Sequence, residues 1–406
     1  MNGINNKKVS IFFIKILRNL VLILLGHIFA LVFLEFGLRL MGVKPATYLR
    51  KFAQYDPTLG WSKIPNADGE FRRGDVVIYE KFNSFGLRSP ELPVAKDSNA
   101  VRILFLGDSF TEGYDVNEEY LFTTLVQKSL QQHWPGKTVE IINGGTGGYS
   151  TDQEYLFLKH IGLQFNPDII ILMMYPTNDV FYNTQSRYGN YDKPLLAFNT
   201  DTLQTLNVPL PEPKTSESFK NIFRETALYQ FTLARILPAF PALTTFLAKS
   251  GFVSRETTHI ATEKGKAPTS FDIFSQEYSS QIDSAWSITY RILEQMQQTS
   301  RKANAQFLVV SIPDRFQLND EDWKVTQSRY NVNDSIWDRN APEKKLKIHA
   351  SLLNYTFINL LDSLKQDSDN TLLYNGVHIN EKGNKKVAEI LSSHLLHHLP
   401  ITEKKP

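Results

Sequence analysis

Val101-Arg102-Ile103-Leu104-Phe105-Leu106-Gly107-Asp108-Ser109-Phe110-Thr111-Glu112-Gly113 decides how the rest of the chain is read. Val101 to Leu106 is a largely apolar run of strand length, closed by Gly107, Asp108 and Ser109 before an amphipathic stretch follows from Tyr120 to His133. The same alternation recurs toward the C-terminus. Apolar runs at Thr138 to Ile142, Asp168 to Met174, Gln306 to Ile312 and Thr356 to Leu360 read as strands. Thr151 to Phe165, Phe271 to Ser300, Pro342 to Asn354 and Glu381 to Leu399 read as helices, several opened by Ser, Thr or Asn. Strands alternating with helices in this way predict an α/β fold around a mainly parallel sheet.

On the N-terminal side, residues 43 to 100 are rich in Pro, Gly and charge. Val76-Val77-Ile78-Tyr79-Glu80-Lys81-Phe82 alternates and predicts one short hairpin in this connecting segment. Inside the βα region the alternation breaks down from about 181 to 270, where one helix is expected near Phe219 to Leu247. So long an interruption reads as an insertion or lid. The expected organisation is therefore residues 1–42 as cytoplasmic tip and membrane anchor, 43–100 as connecting segment, and 101–400 as the α/β domain.

The anchor rests on Lys7, Lys8, Lys15 and Arg18, which precede an apolar run from Leu20 to Phe36 closed by Glu35 and Arg39. A run of that kind suits a transmembrane helix, and the preceding positive charge keeps the N-terminus in the cytoplasm. No small-x-small cleavage site follows, so a retained helix is expected over a cleaved signal peptide. Everything beyond Gly42 then lies outside the cytoplasm, at an inner membrane. The formal net charge is only +2 and no basic stripe with interleaved aromatics follows the N-terminus, which argues against nucleic acid as a partner. The chain has no cysteine, so disulfides and thiolate metal sites are excluded.

Four blocks carry side chains suited to acyl transfer. Asp108-Ser109 follows the first strand, at the edge where open α/β sheets bind ligands. Asn143-Gly144-Gly145-Thr146-Gly147-Gly148 follows the second strand, and its glycines let backbone N–H groups approach a ligand. Tyr175-Pro176-Thr177-Asn178-Asp179 follows the third and reads as a turn whose Asn amide can donate to an oxyanion. Tyr374-Asn375-Gly376-Val377-His378 precedes the last helix and offers an imidazole as base. Alone, each block is also ordinary turn chemistry. His394, His397 and His398 lack a matching carboxylate and read as a solvated helix face.

Together and in this order, the four blocks resemble those of the SGNH (GDSL-like) hydrolase superfamily. The resemblance runs from about Val101 to Leu399 with the insertion unmatched. Leu59-Gly60-Trp61 and Asn83-Ser84-Phe85-Gly86-Leu87-Arg88 also look like the lead-in of bacterial membrane-anchored relatives. It implies a three-layer flavodoxin-like fold, Ser109 as nucleophile and first oxyanion donor, Gly148 as second donor, Asn178 as side-chain donor and His378 as base, with no metal and no cofactor. One position departs: the family has Asp three residues before the His, and this chain has Asn375. An amide oxygen accepts the imidazole N–H without stabilising the imidazolium. A Ser–His dyad, an acid recruited from Asp367 or Asp369, and a site without catalysis all stay open. The expected function is a serine esterase acting on O-acyl, chiefly acetyl, esters of envelope carbohydrate. The alternatives are an O-acyltransferase of envelope polysaccharide and an inactive glycan-binding scaffold.

Overall fold

A computed structural model describes residues 2–43, 51–73, 76–189, 191–199, 202–212, 223, 226–250, 252–253, 267–367 and 373–398. Five strands form the central sheet: β1 (Ala100–Gly107), β2 (Thr138–Asn143), β3 (Ile169–Met174), β4 (Gln306–Ser311) and β5 (Thr356–Asn359). They match the expected strands to within one residue at either end. All pair in parallel, in the order β5-β4-β3-β1-β2.

β1 and β3 are buried at every position, as a sheet covered on both faces requires. Their side chains alternate between two cores. Leu104, Leu106, Ile170 and Leu172 join the core on one face, packed by α4 (Thr151–His160), α6 (Ser280–Lys302) and α7 (Ala341–Leu353) through residues such as Leu156, Trp286 and Leu346. Ile103, Phe105, Ile169 and Ile171 join the other, packed by α3 (Phe122–His133) and α8 (Glu381–His398) through Val126, Leu130 and Leu391. The result is a three-layer α/β fold with the strand order of flavodoxin.

Three helix expectations are corrected. The helix expected over Thr151 to Phe165 stops at His160 and resumes as a 3₁₀ turn, Gly162–Phe165; a Cβ at Gly162 would lie 2.7 Å from Leu104 Cδ2, so the chain passes too close to the sheet for a larger residue. The helix expected from Phe271 starts only at Ser280, where the Ser279 side chain accepts from the Ile282 N–H; Thr269–Phe274 is 3₁₀. The helix expected near Phe219 to Leu247 is broken: an α-turn at Ala227–Phe231, a π-turn at Thr232–Ile236, a 3₁₀ turn at Leu237–Ala239 and an α-helix at Pro241–Lys249. Pro238 and Pro241 have no N–H to continue one ladder, and 213–222 lie outside the described residues.

Ahead of the sheet, α1 (Asn2–Leu40) contains Ile14–Leu40, a stretch long and apolar enough to cross a membrane. The expected hairpin forms from Asp68–Arg73 and Val76–Lys81. Phe52, Phe71, Ile78 and Phe82 pack from this segment around Tyr114, which lies just beyond Ser109.

Candidate active site

Parallel pairing brings the first three blocks to one edge of the sheet: Gly107 sits beside Met173, and Phe105 beside Asn143. At the end of β1 a Cβ on Gly107 would lie 2.1 Å from Thr111 Oγ1 and 2.9 Å from the Met173 carbonyl, so the turn closes only with glycine. Asp108 caps the short helix α2 (Ser109–Glu112), accepting from the Phe110 N–H at 2.9 Å. Ser109 follows, half-buried, with its Oγ 2.7 Å from His378 Nε2.

His378 comes from the far end of the chain. Tyr374–Asn375 and His378–Ile379 form a two-residue antiparallel ladder closed by Gly376 at φ 63°. The ring lies against Phe110 and Tyr114, with centroids 5.0 and 5.5 Å away. Asn375 pairs directly with His378 across the ladder and is exposed. Asp367 lies 3.1 Å from Lys386 Nζ, and Asp369 lies outside the described residues. His394 and His398 face each other on α8 at 4.4 Å, and among the described residues no group of three or more His, Cys, Asp or Glu is placed to hold a metal.

The glycine loop between β2 and α4 is pinned at several points. Asn143 Oδ1 accepts from the Gly145 N–H at 2.9 Å, and Glu112 Oε2 accepts from the Gly147 N–H at 2.6 Å. Trp61 Nε1 donates to the Gly147 carbonyl at 3.1 Å, while Tyr149 Oη donates to the Trp61 carbonyl at 2.5 Å. Gly148 has φ 80°, and a Cβ there would lie 2.8 Å from the Tyr188 ring. Asn178 is on a helix, α5 (Pro176–Tyr182), and not in the expected turn. Pro176 at its first position brings a fixed φ that suits a helix start, and Asp179 reaches back to accept from the Tyr175 N–H at 2.8 Å. The Asn178 amide donates to the Tyr149 carbonyl at 2.5 Å and to Asp108 Oδ2 at 3.2 Å.

Several buried charged groups support these loops. Lys63 and Glu112 form an ion pair with side chains 4 % and 0 % exposed, directly behind the Gly147 N–H. Arg88 is buried and donates to the carbonyls of Glu112, Gly113 and Val116. Charged residues are surface residues by default, so nothing in the sequence marked Lys63 and Glu112 as a buried pair, and Arg88 drew attention only through the motif that contains it. Behind α5 lies a second buried group. Asp152 pairs with Lys193 from the insertion. Burial, then the charge of Asp108, holds the Glu154 carboxyl well above its ordinary range; burial, then Glu154, does the same for Asp179. Burial also pushes Asp108 up to about 7, against the pull of its bonds from Phe110 and Asn178.

Residues 105–242 match the model of the GDSL-like Lipase/Acylhydrolase family. Over that stretch the chain is similar to GDSL-like lipases and acylhydrolases. The match begins two residues before Gly107, and it contains Ser109, Gly148 and Asn178 but stops short of His378. No curated protein matches the chain. Solved structures similar to it include a two-domain esterase (CEX) active on acetylated mannans, 13% identical over 76% of this chain and 51% of that one, with a TM-score of 0.35. The chain thus spans about half the length of that esterase. Others are the lipase/acylhydrolase from Enterococcus faecalis (11% identity, 73% and 95% covered, TM-score 0.37) and the acetyl xylan esterase AlAXEase (17% identity, 73% and 100% covered, TM-score 0.36).

Proposed function

We propose that this protein is a GDSL-like hydrolase, an extracytoplasmic serine esterase that removes small acyl groups, chiefly acetyl, from envelope carbohydrate. The observation that carries the chemistry is the 2.7 Å contact between Ser109 Oγ and His378 Nε2, the reach that general-base catalysis needs. His378 takes the hydroxyl proton as Ser109 Oγ attacks the ester carbonyl. The resulting oxyanion is held by the N–H groups of Ser109 and Gly148 and by the Asn178 amide. Collapse expels the sugar alcohol with the proton from His378, and leaves an acyl-Ser109 ester. Water, deprotonated by the same imidazole, then releases the acid. Asn375 is the group across the ladder assigned to orient His378.

Location rests on α1: cationic residues precede its apolar stretch, which supports a cytoplasmic N-terminus, an inner-membrane anchor and a catalytic domain outside. Ester-bearing carbohydrate of the envelope is the substrate class that this placement offers. Tyr188, from the insertion, covers Gly148 and favours one variation, in which a sugar hydroxyl replaces water as acyl acceptor.

The full chain in detergent, treated with a serine-directed phosphonate and a chromogenic acetyl ester, should be labelled once and turn over the ester. Ser109→Ala should abolish both. Labelling that persists in Ser109→Ala removes the nucleophile assignment, and release of acid from acetylated oligosaccharide measured with and without a sugar acceptor separates hydrolysis from transfer.

A further inference from the structure

We infer that the helical segment at residues 226–250 of the insertion, with Phe252 beside it, is a second membrane contact, lying in the interface of the bilayer that α1 crosses. The inference rests on the reading of α1 as a membrane span. Between Arg18 and Glu35 that helix carries no charged residue, and the two are about 26 Å apart along the axis at about 1.5 Å per residue, close to a hydrocarbon core of about 30 Å. Glu35, paired with Arg39 at 2.7 Å, therefore marks the outer boundary of the span.

The insertion is fastened at that boundary. The Glu35 carboxylate accepts from the backbone N–H groups of Ala227 and Leu228, at 3.0 and 2.8 Å, and so caps the first turn of the segment. The segment then folds back: Tyr229 Oη donates to the Phe252 carbonyl at 2.9 Å, which returns its far end to the neighbourhood of its start. What this turn shows to its surroundings is apolar. Phe240, Leu243 and Phe246 recur every third residue and are 57%, 43% and 66% exposed, and Ile236 and Phe252 are exposed with them. The opposite side is closed by buried Leu237 and by Thr244, whose hydroxyl donates to the Leu237 carbonyl at 2.9 Å.

Charge selects the occupant. From Thr226 to Val253 the sequence has no acidic residue and two basic ones, Arg235 and Lys249. Apolar side chains with sparse positive charge, held beside the end of a membrane span, fit the headgroup and acyl boundary of a bilayer containing anionic lipid. Two attachments also fix the tilt of the catalytic domain over the membrane, which one helix leaves free.

The absence of native cysteine makes the test direct. Phe246→Cys, Leu243→Cys, Val32→Cys and Leu352→Cys are each labelled with a nitroxide in the full chain. Each is reconstituted into phosphatidylethanolamine–phosphatidylglycerol vesicles, with thermal melts to confirm folding. Collision with oxygen, which partitions into lipid, is compared with collision with an aqueous nickel chelate. Labels at 246 and 243 should show an oxygen-to-nickel ratio several-fold above that at the exposed Leu352 and near that at Val32. If Val32 is in lipid while 246 and 243 match Leu352, the second contact is overturned and the anchor stands. An aqueous Val32 overturns the anchor and the inference with it.

Discussion

Lys63→Met tests whether the lead-in segment holds the catalytic loops in place. Lys63 Nζ lies against Glu112 with both side chains buried, and packs over the Phe82 and Tyr114 rings at 5.2 and 5.7 Å. Glu112 in turn holds the Gly147 N–H at 2.6 Å, one residue before the assigned donor Gly148. Nearby, Arg88 lies 4.0 Å from Glu80, whose carboxyl is raised to about 7 by burial and then by the Glu112 charge. Methionine fills the lysine volume but leaves Glu112 buried without its cation, a change that costs about 3–5 kcal/mol. At roughly 2–4 °C per kcal/mol for a domain of about 150–250 residues, the melting temperature should fall on the order of 10 °C. Ester turnover at a temperature where the variant is folded should fall at least about tenfold, since misplacing one oxyanion donor costs up to about 10²–10³ in kcat. Lys63→Met/Glu112→Gln should recover most of the stability, because the amide oxygen still accepts from Gly147 and no charge is stranded. Circular-dichroism melts and ester hydrolysis on the parent, Lys63→Met, Glu112→Gln and the double variant complete a double-mutant cycle. Single and double variants that melt together, with turnover equal to the parent, would refute the coupling.

Asn178→Ala should lower kcat by about 10²–10³ with little change in KM, because the proposed hydrogen bond from its amide forms to the oxyanion of the transition state; a change confined to KM would place Asn178 in ground-state binding. Asn375→Asp sets a carboxylate across the ladder from His378 and should raise kcat at least about tenfold, against the roughly 10⁴ that the reverse change costs in a serine protease triad. An unchanged rate would mean another group already orients the imidazole. Glu343 is buried, accepts from Gln317 Nε2 at 3.0 Å, and is pushed up to about 8 by burial. The folded chain keeps that proton where the unfolded chain, with an ordinary value of about 4.3, has released it. Its contribution to stability is therefore complete below about pH 4 and is lost as pH rises through 8. Glu343→Gln should melt progressively higher than the parent between pH 5 and 9, and parallel melting curves across that range would contradict the assignment.

The sheet was legible because β3 is an uninterrupted apolar run and β1 is broken only by Arg102, each bounded by glycine or turn residues, so length and punctuation agree. Helix starts were less legible. Ser279 and Pro176 begin helices that sequence reading places elsewhere or reads as turns, because a cap or an N1 proline becomes visible only when the first turn forms. The approach of Ser109 to His378 lies 269 positions apart in the chain, and only the order of the blocks, not any local pattern, pointed to it. The ion pairs Lys63–Glu112 and Asp152–Lys193 were not legible at all. Each joins segments that the sequence separates, and each member by itself reads as surface charge.

Those two pairs bear on where the catalytic unit begins and ends. Lys63 comes from the segment before the sheet and Lys193 from the insertion after β3, yet both deliver an ammonium to a carboxylate buried beside the site loops. Trp61 binds these regions together: its indole N–H holds the Gly147 carbonyl and its ring lies 5.5 Å from Tyr149 and 6.2 Å from Tyr188. A fold reduced to the five strands and their helices would retain Ser109 and His378 but strand Glu112 and Asp152 without their cations. The cost of two such unpaired charges, about 3–5 kcal/mol each, is comparable with the whole stability of a typical domain, about 5–15 kcal/mol. Lead-in and insertion are thus structural parts of the site, and any fragment meant to report on its chemistry has to start before Phe52 and keep the insertion at least through Lys193.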